Sequence, residues 1–157
     1  MAPRVRPEIP ALDDVSKRII EELQHDGRRP YAAIGKTVGL SEAAVRQRVQ
    51  RMLDAGIVQV VAVSNPLHLG FNRAAMIGIN VEGDIEAAAD AIAALDEIDY
   101  VVVTAGSFDL LVEVVCENDE QLLDILNHRL RALPFVRETE VFVYLKLHKQ
   151  TYQWGTR

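Results

Sequence analysis

Residues 35–56 read GKTVGLSEAAVRQRVQRMLDAG, and this stretch decides the fold of the first half of the chain. Two helices that meet at a steep angle need small residues where their backbones approach, and a residue tolerant of positive φ in the turn between them. Gly35, Gly39 and Val45 stand at the helix-turn-helix spacing. Gly39 makes the turn, Gly35 lets the third helix approach closely, and Leu40 with Val45 fills the corner. Ser41 is the natural N-cap of a helix over residues 42–55, and Gly56 is placed to close it. The inner face of that helix carries Val45, Val49, Met52 and Leu53, and its outer face Ala43, Arg46, Gln47 and Gln50. One position where the generic motif expects an apolar residue holds Arg48, so the inward stripe runs through Val49.

Working outward, Val15, Ile19 and Leu23 recur every four residues after the capping candidates Asp13 and Asp14, which predicts an amphipathic helix ending near Gly27. A second short helix fits residues 31–38, with Ile34 and Val38 on one face. The spacing therefore predicts three helices in the first sixty residues or so.

Charge is divided unevenly along the 157 residues. The whole chain carries 17 basic and 23 acidic groups, a formal net charge of −6, which excludes binding to polyanions by bulk positive charge. Residues 1–64, however, hold 10 basic and 8 acidic groups, and residues 65–157 hold 7 and 15. Within residues 28–51, Arg28, Arg29, Lys36, Arg46, Arg48 and Arg51 face a single acid, Glu42. A small basic module (1–64) is thus joined to a larger acidic one (65–157), with the seam at Ser64-Asn65-Pro66, where proline blocks regular continuation. The row Arg46, Gln47, Gln50 has side chains that hydrogen-bond base edges in the major groove, arginine to guanine and glutamine to adenine. The acid-poor window around it supplies phosphate contacts. The DNA-facing set is then Arg28, Tyr31, Ser41, Glu42, Ala43, Arg46, Gln47, Gln50 and Arg51, against the plain alternative of a solvated face on a packing unit.

Between the modules, residues 57–63 read as a β-branched linker strand. The second module opens with a strand over residues 74–81 and, after Gly83-Asp84, a helix keeping Ile85, Ala88, Ala89, Ile92 and Leu95 in register. A valine-rich strand (100–105), the tight connection Gly106-Ser107-Phe108 and a hairpin partner (109–116) follow. A helix over 119–133 stops before Pro134, and a last strand spans 137–147. Strand, helix, strand, strand, helix, strand is the ferredoxin-like split βαβ order. Such a sheet covers one face with its helices and leaves the other for a partner, for which a second copy of the chain is the simplest solution.

Enzyme signatures are absent. Gly35-Lys36-Thr37 fails as a phosphate loop because Pro30 stands where a glycine is required, and no nucleotide, zinc-protease or serine-hydrolase motif occurs. His25, His68, His128 and His148 are scattered, no metal or cofactor is called for, and the single cysteine, Cys116, ends an apolar run as a small buried hydrophobe. No apolar run approaches the ~20 residues that span a bilayer, and residues 1–10 hold prolines and charges rather than a leader. The expected compartment is the cytoplasm, with no membrane contact.

A selective pocket for a free amino acid needs a carboxylate for the ammonium and N–H or hydroxyl donors for the carboxylate. Asp109 can supply the first, and exposed backbone near Gly106 with Thr104 and Thr139 the second. The plain alternative makes residues 106–109 a hairpin turn in which Asp109 bonds local backbone.

Taken together, Leu12-Asp13 with Ile19-Ile20, Gly39-Leu40-Ser41, Val45, residues 48–51, Asp54-Ala55-Gly56, residues 106–109 and residues 141–146 resemble the Lrp/AsnC (leucine-responsive, feast/famine) transcriptional regulators, over residues 12–155. Arg48 is typical of that family, and Ser16 departs from it, where members often carry an acid. The resemblance implies an α+β protein with a winged-type helix-turn-helix domain, a linker strand and a ferredoxin-like effector domain. It implies a homodimer through swapped linker strands and paired sheets, assembling to tetramers or octamers, and an amino acid or related small effector at the loop around Gly106 and Asp109, with Tyr100 as a further carry-over. A dimer presents two copies of the third helix to successive major-groove faces, so its double-stranded DNA operator is expected to be palindromic. Two other readings stand beside a regulator that is no enzyme. Sirohaem decarboxylases resemble these proteins across both modules but would not need the Arg46, Gln47, Gln50 row, and a nucleoid-organising protein would bind DNA without an effector.

Overall fold

The computed structural model describes residues 12–157. The N-terminal stretch read above for a leader lies outside these residues. The described residues form two units, 12–63 with 149–157, and 64–148. The sequence expectation placed 149–157 with the second module. By contact these residues lie with the first unit, where the Gly155 backbone is hydrogen-bonded to the Gln24 side chain of the first helix.

In the first unit, α1 (Asp14–His25) begins where the Asp13 carboxylate accepts the Ser16 N–H at 2.8 Å. The second helix, α2 (Tyr31–Val38), starts at Pro30, whose fixed φ suits a helix entrance, and ends at Gly39 with φ +76°. A Cβ on Gly35 would lie 2.5 Å from the Leu40 carbonyl oxygen. The close approach that demands glycine is therefore made by the turn, not by the body of the following helix. That helix, α3 (Glu42–Asp54), is capped by the Ser41 hydroxyl, which accepts the Ala44 N–H at 3.2 Å. Gly56, at φ +67°, ends it, and Ile57 N–H reaches back to Met52 O at 2.9 Å. Ile19, Ile20, Leu23, Ile34, Val38, Val45, Val49 and Met52 form the buried core. Arg48, the misfit of the generic motif, bridges to both Asp13 carboxylate oxygens at 2.9 and 2.7 Å and to the Ser16 hydroxyl at 3.0 Å. It ties α3 to the start of α1.

The expected linker strand over residues 57–63 has no partner strand. The Ile57 and Val58 N–H groups reach back to Met52 O and both side chains pack on the first core, while Val60, Val61 and Val63 are exposed. A strand exists only as part of a ladder, and one copy of this chain offers none at that place.

The second unit is a four-stranded antiparallel sheet of order β2-β3-β1-β4, built from β1 (Arg73–Val81), β2 (Tyr100–Val103), β3 (Leu110–Cys116) and β4 (Val136–Val143). Two helical segments cover one face. The first is α4 (Ile85–Ala93), capped by Asp84. The second is α5 (Asp119–Asp124), capped by Asn118, which continues as a wider π turn over Ile125–Leu130 where a single regular helix was expected. Period-two alternation does the sorting: in β3, Leu110, Val112, Val114 and Cys116 are buried while the residues between them are half-buried. They pack with Ala75, Ile77 and Ile79 of β1 against Ala88, Ile92, Leu122, Ile125 and Leu130.

The other face carries no helix. Gly78 lies directly under the Phe108 ring, whose carbons would stand 2.6 Å from a Cβ there. Phe108 in turn meets Phe142 edge-on, with centroids 6.1 Å apart. Tyr100, Phe142 and Tyr144 are exposed around this patch. Partial burial, together with a hydrogen bond to the Glu113 carboxylate, pushes the Tyr144 phenol up to about 12.

Candidate nucleic-acid interface and effector groove

On α3, the face turned from the core presents Glu42, Ala43, Arg46, Gln47, Gln50 and Arg51, all exposed. Their contacts are local. Arg46 pairs with Glu42 one turn back at 2.8 Å and lies 5.2 Å from the centroid of the Tyr31 ring on α2. Gln50 donates to Asp54 at 2.8 Å, and Arg51 Nε reaches the Gln47 carbonyl at 3.4 Å. An exposed i,i+4 ion pair is worth only about 0.3 to 0.5 kcal/mol, so Arg46 can exchange its carboxylate for a base edge or a phosphate at small cost. Tyr31 aims the guanidinium without consuming its donors. Ser41 is occupied as the cap, and Arg28, with its backbone N–H on Asp26 at 2.9 Å, leaves its side chain at the surface.

The basic window is smaller than its sequence count. Arg48 is bound to Asp13, and Arg29 pairs with Glu22 at 2.5 Å while also reaching the Thr37 hydroxyl. Arg28, Lys36, Arg46 and Arg51 remain exposed and outside such cross-helix ties. Lys36 was not among the expected contact residues, although its place in the acid-poor window was visible in the sequence. Hydrogen bonds from the Ser16 hydroxyl and N–H, with the Arg48 guanidinium beside them, hold the Asp13 carboxyl down at about 2.

In the second unit, the structure brings Thr104, Gly106 and Asp109 together in one loop. Asp109 Oδ2 accepts the Val81 N–H at 2.9 Å, exactly where the β1–β4 register shifts between Asn80 and Val81 and leaves that donor outside the ladder. Its own N–H donates to Ile79 O at 3.1 Å, and its carbonyl accepts from Thr104 N at 2.9 Å. The Thr104 hydroxyl donates to Phe108 O at 2.5 Å. Gly106 is exposed, has no positive φ and has nothing within 4 Å of a built Cβ. Thr139 pairs with Ile79 across β4 and accepts from Arg131 Nε at 2.9 Å. It lines a groove of about 600 Å³ with Phe108, Arg131, Arg137, Glu138 and Glu140. Arg137 is paired with Glu82, and Arg131 with Asn127 at 3.1 Å. Tyr100 sits at the opposite end of β2, beside Glu113, and is not drawn to the loop within one chain.

Among the described residues there is no cluster of three or more metal-ligating side chains, and no helix is long and apolar enough to cross a membrane. Comparison with known proteins covers most of both units. Residues 12–53 match the AsnC-type helix-turn-helix domain, and residues 71–157 match a C-terminal dimeric alpha+beta barrel domain. The HTH-type transcriptional regulator FL11 of Pyrococcus furiosus is 36% identical over 142 residues, covering 89% of this chain and 93% of that protein. Regulatory protein AsnC of Escherichia coli is 26% identical over 138 residues, 86% and 91% of the two chains. Among solved structures, the leucine response regulatory protein of Mycobacterium tuberculosis superposes with a TM-score of 0.83 at 27% identity, over 92% of this chain and all of that one. A transcriptional regulator of Neisseria meningitidis in complex with L-methionine gives 0.78 at 22% identity, over 94% and 97%.

Proposed function

Because this chain belongs to the AsnC/Lrp family of transcriptional regulators, we propose that it is a non-enzymatic, sequence-specific DNA-binding protein whose operator affinity or assembly responds to an amino acid or similar small metabolite. The observation that carries this reading is the exposed row Arg46, Gln47, Gln50, held on a capped helix with only weak local pairing. Arg46 and the glutamines read base edges, while Arg28, Lys36 and Arg51 meet phosphates. Tyr31 orients Arg46, and Ser41, Glu42 and Ala43 form the helix end that enters the groove.

A second copy covers the helix-free sheet face around Phe108, Phe142 and Tyr144 and supplies a partner strand for residues 57–63. The dimer then sets two α3 helices ~34 Å apart, which selects a palindromic site. Further assembly to tetramers or octamers closes the effector site around Gly106, Asp109 and Thr139, and it places Tyr100 of another copy near the loop. The groove beside Thr139 and the L-methionine complex of the Neisseria fold relative support a small zwitterionic effector. Its binding shifts DNA affinity by a coupling of about 1 to 3 kcal/mol. The protein works on chromosomal DNA in the cytoplasm.

The test is a thermal-shift screen of the full chain against the amino acids, followed by gel shifts on its own promoter region at fixed salt, with and without any hit. A stabilising amino acid that alters the gel shift supports the reading. Sequence-indifferent binding unaffected by every amino acid would leave a DNA-packaging protein instead.

A further inference from the structure

The last nine residues part company with the sheet they follow. Residues 149–157 group with the DNA-binding unit, and their hydrogen bonds show how. Gly155 takes φ +70°, a left-handed turn that glycine adopts freely. Its N–H donates to Gln24 Oε1 at 3.0 Å and its carbonyl accepts from Gln24 Nε2 at 3.5 Å. The next residue, Thr156, donates its hydroxyl to Glu21 Oε1 at 2.5 Å. Glu21 and Gln24 are three apart on α1 and therefore neighbours on one face. A carboxamide that meets a backbone amide as both acceptor and donor copies one rung of a β-ladder, a pairing made for main chain and not for a particular side chain.

We propose that residues 152–156 form a releasable strap on the Glu21–Gln24 face of α1, giving the DNA-binding unit a second, hydrogen-bonded tether to the rest of the chain besides the covalent connection through residues 57–65. The strap is polar. Trp154 is 80% exposed and Tyr152 48%, so the docking rests on hydrogen bonds that water can replace, not on buried apolar area. Release is therefore cheap, and docking limits how far the DNA-reading helices can reorient. The strand that precedes the strap, β4, contributes residues 136–140 to the groove beside Thr139, so that groove and α1 are linked along one short run of chain. The strap does not depend on what the groove binds.

Backbone ¹⁵N relaxation on the full chain tests it. The Gly155 N–H is expected to show an order parameter near that of rigid backbone, about 0.85, and to fall below about 0.6 in the Glu21→Ala, Gln24→Ala double variant while Ile19 stays rigid. A Gly155 value below about 0.6 in the unaltered chain, or one unchanged by the double variant, overturns the proposal. If the double variant disturbs α1, Gly155→Val leaves α1 untouched. Trp154 is the sole tryptophan, so its fluorescence anisotropy reports the strap directly. A fast nanosecond decay component that appears only in Gly155→Val supports the strap, and identical decays for the two chains overturn it.

Discussion

The outer face of α3 and the loop over residues 104–109 are both polar, both exposed in part, and built on opposite terms. On the outer face of α3, Arg46 and Gln50 are paired with carboxylates one turn away by contacts that cost little to give up. In the loop, one oxygen of the Asp109 carboxylate, the Asp109 N–H and carbonyl, and the Thr104 hydroxyl are all spent on neighbouring backbone. A surface that must contact a varied partner keeps its donors loosely held, whereas a loop that must keep a shape first satisfies itself and recognises ligands with what is left over. The difference teaches that polarity alone does not mark a binding group; how firmly its hydrogen bonds are already committed does.

That comparison can be broken most sharply at Asp109. Asp109→Ala orphans the Val81 N–H at the bulge, so unfolding of the second unit should lose about 1 to 3 kcal/mol, read by denaturant titration, together with any effector response. A stable variant that merely fails to respond would show that the carboxylate was free for ligand after all. Arg46→Ala is expected to behave inversely: operator binding falls by about 1 to 3 kcal/mol in gel shifts at constant salt, while stability moves by no more than about 0.5 kcal/mol. Unchanged operator affinity would remove Arg46 from the reading face.

Gly106→Ala sharpens the contrast inside the loop. With no positive φ and open space at the Cβ, it should leave the melting temperature within a degree or so or raise it slightly. A weakened effector response without loss of stability would mark close backbone approach by the ligand. The smallest expected effect lies on the far side of α3. The Asp13 carboxyl is held at about 2, below its unfolded value of about 3.9, so its contribution is present above pH ~4 and lost as pH falls toward 2. Arg48→Met should flatten that acid limb in circular-dichroism melts; an unaltered limb would mean that Ser16 alone holds the carboxylate.

Much of the first unit was legible because its signals are local. Ser41, Gly39 and Gly56 cap and turn the chain within four residues of themselves, and the inward stripe of α3 shows at helical spacing. Arg48 looked like a defect because its partner, Asp13, lies 35 residues away, although Asp13 was already visible as a cap. The order of elements along the second unit followed from period-two alternation in the strands and helical spacing between them. Three features were not legible. The Val81 N–H needs a partner only because β1 slips register there. The linker strand has no ladder in a single chain. The strap on α1 is made of backbone groups, which carry no residue signature. For the candidate effector site, the sequence supplied the loop but not its internal commitments, and it missed Arg131, which holds Thr139 in place.

The doubled duty of Asp13 has a consequence for how the first unit comes apart. One carboxylate starts α1 and also anchors the middle of α3, so the cap cannot be lost without loosening the interhelix tie, nor the tie without weakening the cap. Local and distant structure are thereby made to fail together, and amide exchange along α1 and α3 should report a single opening event instead of two independent frayings.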